Sequence, residues 1–328
     1  MFQTKSGSRF IATFSAAVIA AGIIIAAPSG ANAASLTSTD NFLKSAFKDS
    51  KYIEGFTPGQ PDFGFSLEGL LQRKALGEGS AALAPSVAYL LQSKTNTGTT
   101  VNYTGYLFNK GALRLGQIGK WAFVSKIVGA NNLTTRRSVL ASAMGKMLKS
   151  GDLSADSGAN TYDRAWLVLG LEANGYKAQA VRLANAVIAH QITDGGWDDG
   201  YTLGESSPDG TGLVLQALAA AKKSVTGVSI LKKFNASIAK GVAYLNGSLV
   251  GGDHYESWGD YNINGTAYAA MGLNAVGKPN ASIKSWLTGK LASDGGLQSP
   301  WSGGAGDVYA TAQGAVALLG SSYAAMIR

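Results

Sequence analysis

The sequence predicts an all-α protein whose six helix pairs form two concentric rings, an (α/α)6 toroid. Three observations predict it: segments apolar all the way round, amphipathic segments that alternate with them, and glycines that recur where both kinds stop.

The apolar segments set the architecture. Ala165 to Leu171, Leu213 to Ala220 and Ala267 to Leu273 have no polar face, and Ala312 to Leu319 has only Gln313. A helix without a polar face must be enclosed on most sides. The amphipathic segments supply the enclosure. Ile230, Phe234, Ile238 and Val242 fall at steps of four, with Lys232, Lys233 and Lys240 between them, the spacing of a helix with one buried stripe. Glycine occupies 43 of 328 positions without any low-complexity tract, so it serves as helix stops and turns. Inner helices are expected near residues 63–77, 113–129, 161–174, 209–222, 264–276 and 307–319. Outer helices are expected near 40–49, 82–93, 133–149, 177–191, 231–246 and 280–292. An open solenoid would leave one side of each inner helix wet, so a closed ring is the expected form.

Composition narrows the context. Lys5 and Arg9 precede an apolar run from Phe10 to Ala27, then Pro28–Gly30 and the small-x-small site Ala31-Asn32-Ala33, the order of a secretion signal. The expected layout is a signal over residues 1–33 and one toroid over 34–328, in a secreted, monomeric, bacterial protein with no membrane span after cleavage. The chain has no cysteine, which excludes disulfides, thiolate nucleophiles and Cys-ligated zinc. Net charge is +8, but the basic residues are scattered. Nucleic-acid binding needs a concentrated patch and is not expected; attraction to anionic surface polymers suits this charge better.

The loops carry the wording of a known repeat. One unit reads Gln191-Ile192-Thr193-Asp194-Gly195-Gly196-Trp197, and Tyr89-Leu90, Tyr244-Leu245 and Trp286-Leu287 form aromatic-aliphatic pairs. This resembles the squalene-cyclase and protein-prenyltransferase repeat superfamily, firmly from about Thr161 to Leu319 and weakly from Asn41 to Gly151. The resemblance implies an (α/α)6 toroid. It does not imply the family's chemistry. The closing Trp reads as Asp253 in one repeat and as Leu297 in another, and Trp197-Asp198-Asp199 lacks the first Asp of a cyclase acid motif. The zinc set of the transferases requires Cys. No cofactor and no metal site are expected: in the calcium-like run Asp152, Ser154, Asp156, Asp163, Ser157 stands where glycine should be.

In such toroids the loops that enter inner helices gather on one face, and here they are rich in acids and aromatics. Asp163, Asp209, Asn264 and Asp307 are expected as helix N-caps. Trp197, Tyr201, Asp209, Tyr255, Trp258, Tyr261, Trp301 and Asp307 are the candidate binding residues, with planar faces for sugars and carboxylates for hydroxyls. Asp199, Glu205, Glu256 and Asp260 are the candidate catalytic carboxylates, as an acid and base pair for a glycosidic bond. His254 reads as a loop histidine. The first functional reading is non-catalytic binding of a carbohydrate, cell-surface polymer or small molecule at this rim. The alternative is a polysaccharide hydrolase. A further alternative, a carrier of an apolar or cobalamin-like molecule, predicts an open channel lined by Trp166, Tyr268 and Tyr309.

Overall fold

The computed structural model describes residues 30–92, 103–109, 111–150 and 160–327. Helices follow one another in the order α1 (Gly30–Ala46), α2 (Phe63–Ala75), α3 (Ser80–Val87), α4 (Tyr103–Leu107), α5 (Leu115–Ile127), α6 (Leu133–Ser150) and α7 (Thr161–Ala173). Then come α8 (Lys177–Ala189), α9 (Pro208–Lys222), α10 (Val228–Gly247), α11 (Ile263–Ala275), α12 (Ala281–Gly289) and α13 (Val308–Leu318). Among the described residues, strand is confined to isolated bridges and two-residue antiparallel pairs, such as Glu256–Ser257 with Asp260–Tyr261.

The inner ring is α2, α5, α7, α9, α11 and α13, each touching the next, with α13 returning to α2. The ring is therefore closed, as the all-round apolar segments require. On α9 every residue from Gly210 to Ala221 is buried, whereas on α10 only Phe234, Ser237, Gly241 and Leu245 are. The outer stripe thus centres on Ser237 and Gly241 rather than on Ile238 and Val242. The small residues let Trp197 approach: a Cβ on Gly241 would stand 2.9 Å from its ring.

Glycine works differently inside the ring. Gly119 meets Gly170 where α5 crosses α7, and Gly212 meets Gly272 where α9 crosses α11. A Cβ on Gly212 would lie 2.3 Å from the Tyr268 carbonyl oxygen, so the two backbones touch with no room for a side chain. Gly212→Ala should cost about 1–3 kcal/mol in chemical denaturation, the usual penalty of overpacking.

The first and last described elements complete the ring. Helix α1 lies against α13 and α2, and its Thr39 and Leu43 are fully buried. Residues 1–29 of the expected signal lie outside the described residues. The buried residues described on α1, Thr39 and Leu43, follow Ala34. At the other end a 3-10 turn, Tyr323–Met326, tucks under the ring. Tyr323 is fully buried in the bore; Gln72 Nε2 donates to its hydroxyl at 2.9 Å, and its own N–H donates to Gln216 Oε1 at 2.8 Å. Its ring packs on Phe123, Trp166 and Tyr268.

Candidate active site

The site is built from the first two turns of the inner helices. Their N-caps are Asp62, Arg114, Asn160, Ser207, Asn262 and Asp307. All except Arg114 use a side-chain oxygen to accept a first-turn N–H. Of the caps expected from sequence, only Asp307 is one. The cap is a half-helical residue whose side chain reaches forward to a free amide, and Asn160, Ser207 and Asn262 occupy those places. Asp163, Asp209 and Asn264 sit inside the first turn instead. That releases their side chains toward the bore.

The two carboxylates rest on glycines of neighbouring helices. A Cβ on Gly116 of α5 would lie 2.0 Å from Asp163 Oδ1, and one on Gly265 of α11 would lie 2.7 Å from Asp209 Oδ2. Asn262 Nδ2 donates to Asp209 Oδ2 at 3.3 Å. Burial, with the Asp199 charge nearby, pushes the Asp209 carboxyl up from 3.8 to about 6. Burial also raises Asp163, opposed by the charges of Lys120 and Arg114.

One turn deeper, the sixth residue of each inner helix forms a second layer: Glu68, Lys120, Trp166, Leu213, Tyr268 and Gln313. Glu68 is its centre. It pairs with Lys120, accepts from the Tyr268 hydroxyl at 2.5 Å and from Gln313 Nε2 at 3.0 Å. Asn264 Nδ2 donates to Gln313 Oε1, and the Tyr162 hydroxyl donates to that of Tyr268 at 3.0 Å. Lys120 Nζ also lies 4.8 Å from the Trp166 ring centre. Burial works to lower the pKa of Lys120, but the adjoining Glu68 carboxylate outweighs it and holds the ammonium charged. Burial beside the same carboxylate raises the Tyr268 and Tyr162 phenols.

Above this floor opens a cavity of about 1020 Å³. Asp199, Glu205, Asp209 and Glu256 line it together, flanked by Tyr201 and Trp258, which are 94% and 99% exposed. Asp199 Oδ1 accepts from the Tyr201 and Thr202 amides at 2.8 and 3.2 Å. Other expected residues are elsewhere. Asp260 is exposed on its hairpin outside the cavity, and Trp301 is an outlying rim residue. Tyr261 packs on Trp286 with Lys290 Nζ 3.8 Å from its ring centre. Asp307 is occupied by the Tyr309 and Ala310 amides and the Ser299 hydroxyl. His254 bonds Asp253 at 2.7 Å and stacks on Trp286. No acidic or histidine group able to hold a metal occurs among the described residues; of the calcium-like run, Asp152 to Ser157 lies outside them.

Trp197 and Tyr255 are wedges. Both are buried; Trp197 Nε1 donates to the Val187 carbonyl at 3.0 Å, and the Tyr255 hydroxyl donates to that of Leu245 at 2.8 Å. Their backbone N–H groups donate to Thr211 and Thr266, fourth residues of their inner helices. Leu297 and Ile53 do the same to Thr311 and Ser66. The structural counterpart of Trp197 in the α11 repeat is therefore Tyr255, not Asp253. Trp197→Ala should cost about 3–5 kcal/mol of stability, whereas Trp258→Ala should leave the melting curve unchanged and weaken ligand binding.

Trp166, Tyr268 and Tyr309 do not line an open apolar channel together. Trp166 and Tyr268 are buried against Tyr323, and Tyr309 stacks on Phe56 and meets Phe65 edge-on. The bore is plugged below the floor. No helix of the described residues is long and apolar enough to cross a membrane.

A solved structure titled "Glycosidase E178A" superposes with a TM-score of 0.52 at 15% identity, covering 92% of this chain and all of that one. The likeness is one of fold. No family model and no curated protein matches the sequence.

Proposed function

We propose that the protein is an exported glycoside hydrolase whose proton donor is Asp209 and whose base or nucleophile is Asp199. The observation that carries this reading is a buried Asp209 with a raised pKa beside the carboxyl group of Asp199. Asp209, freed from capping by Ser207, is pushed to about 6 by burial and by Asp199, while Asp199 is held by two loop amides. A carboxyl group kept protonated to a higher pH by burial can serve as the acid, and glycosidic cleavage needs such an acid with a second carboxyl group nearby. Tyr201 and Trp258 supply flat faces at the mouth for sugar rings. The solved neighbour's title is in keeping with this reading.

The sequence points first to binding without catalysis; the raised Asp209 beside Asp199 favours turnover. The test is release of reducing ends from a panel of oligosaccharides by the protein cleaved at Ala33. Asp209→Asn should lose about 10²–10⁴ of the rate yet still bind the ligand. Full binding with no turnover by the wild type would return the site to a binding role.

A further inference from the structure

A single exposed aromatic side chain carries no message by itself; Phe56 differs in where its ring leads. It is 91% exposed on the loop that enters α2, and its ring stacks on that of Tyr309 of α13, with centres 5.6 Å apart. Tyr309 in turn meets Phe65 of α2 edge-on at 4.4 Å, and Phe65 lines the cavity. Three rings thus run from the cavity wall to the outside, across the seam where α13 returns to α2.

The loop holds Phe56 in place. The Gly55 N–H donates to the Gln60 carbonyl at 2.8 Å, and the Gln60 N–H to that of Thr57 at 3.0 Å. The Glu54 carboxylate accepts from the Gly59 amide and from Lys48 Nζ, and the Tyr309 hydroxyl donates to the Glu54 carbonyl at 3.2 Å. An apolar ring fixed in water in this way can be covered with little further ordering cost.

Position supplies the occupant. In the closed order α2, α5, α7, α9, α11, α13, helices α2 and α9 stand three places apart, on opposite sides of the mouth. Tyr201, on the loop into α9, is the exposed aromatic of the far side, with Trp258 on the neighbouring loop into α11. A short sugar that fills the cavity ends at Phe65 and does not touch Phe56. A chain that enters past Tyr201 and continues over the opposite wall meets it. We infer, resting on the hydrolase reading above, that the substrate is a polysaccharide whose chain crosses the mouth from Tyr201 to Phe56, so that the bond cut is internal. Phe56 carries sugar rings beyond the cut site, their C–H faces against its open face. That contact is apolar and needs no charge on the sugar.

The test is calorimetric titration of Asp209→Asn, which should bind without cutting, with glucose, mannose and N-acetylglucosamine oligomers of two and of eight rings. At least one eight-ring oligomer should bind, and more tightly than its two-ring form. Phe56→Ala in the same background should weaken that complex about three- to tenfold, as loss of one aromatic contact does. It should leave the two-ring affinity and the melting curve unchanged, and Phe56→Tyr should retain the full affinity. The wild type should cut the same oligomer within the chain. Release of single rings from an end overturns the crossing. Equal loss at both lengths on Phe56→Ala, or loss at neither, overturns the platform and leaves the hydrolase reading standing. Phe56-dependent binding of the long oligomer without turnover by the wild type keeps the platform and sinks the hydrolase reading. Failure of every oligomer to bind overturns both.

Discussion

Asp209→Asn should lower turnover by about 10²–10⁴ and make the protein more stable at the same time. Burial raises the Asp209 pKa from 3.8 in the unfolded chain to about 6 in the fold. A group whose pKa rises on folding contributes stability that is fully present below its unfolded value and is lost as pH rises through its folded value. Above about 6, then, folding holds a charge in a place that disfavours it. A tenfold change in acidity is worth about 1.4 kcal/mol, so the penalty at neutral pH is about 2–3 kcal/mol. Asparagine is neutral at every pH, and its amide oxygen can still accept from Asn262. Urea denaturation at about pH 8 should show the variant more stable by up to that amount, and at about pH 3.5 no better than the wild type. A residue retained only for folding would show the reverse. A variant both inactive and less stable at pH 8 would mean that Asp209 holds the helix start together, and the assignment of the proton donor would fall with it.

Much of this arrangement is legible in the residues, and the illegible part has a physical reason. Inner helices such as Thr161–Ala173 and Pro208–Lys222 lie within a residue or two of their expected spans, because a helix without a wet face has one solution. Asp199, Glu205, Glu256, Tyr201 and Trp258 do share a cavity, because loops into inner helices gather on one face. Two things are hidden. Trp197 and Trp258 look alike in sequence, yet one is a fully buried wedge and the other stands at a hairpin tip with φ of +55°. The signal that separates them is a hydroxyl residue 11 to 14 positions downstream at the fourth place of an inner helix, as Thr211, Thr266, Thr311 and Ser66 show. The floor is hidden too. Glu68 lies 52 residues from Lys120 and 200 from Tyr268, and the three align only when the true caps fix the register of each helix. Reading Asp163 and Asp209 as caps displaces that register and conceals the layer.

Glu68→Gln should be among the most destabilising single changes in the chain. Its partner Lys120 is nearly buried, and the hydroxyl of Tyr268 and the amide of Gln313 converge on the same carboxylate. Removing one member of a buried pair strands the other's charge, at a cost of about 3–5 kcal/mol. The loss should depend on pH: in the wild type the Glu68 carboxylate holds Lys120 above 10.5, whereas in the variant burial alone acts on it and lowers its pKa, so the stranded charge is relieved and the loss shrinks as pH rises from neutrality into alkali. The double variant Glu68→Gln with Lys120→Met should recover most of the loss, because it removes the stranded charge and leaves an apolar side chain against Trp166. If the proposed hydrolase reading holds, activity should not return with stability in the double variant, since the Tyr268 and Gln313 groups that converge on the carboxylate lose the anion that fixes them at the cavity floor. A cost below about 1 kcal/mol for Glu68→Gln, typical of an exposed pair, would mean that Lys120 swings up into the cavity and finds water or another carboxylate there. In that case the floor would be a movable cation rather than a fixed pair, and the cavity would carry its own counter-charge.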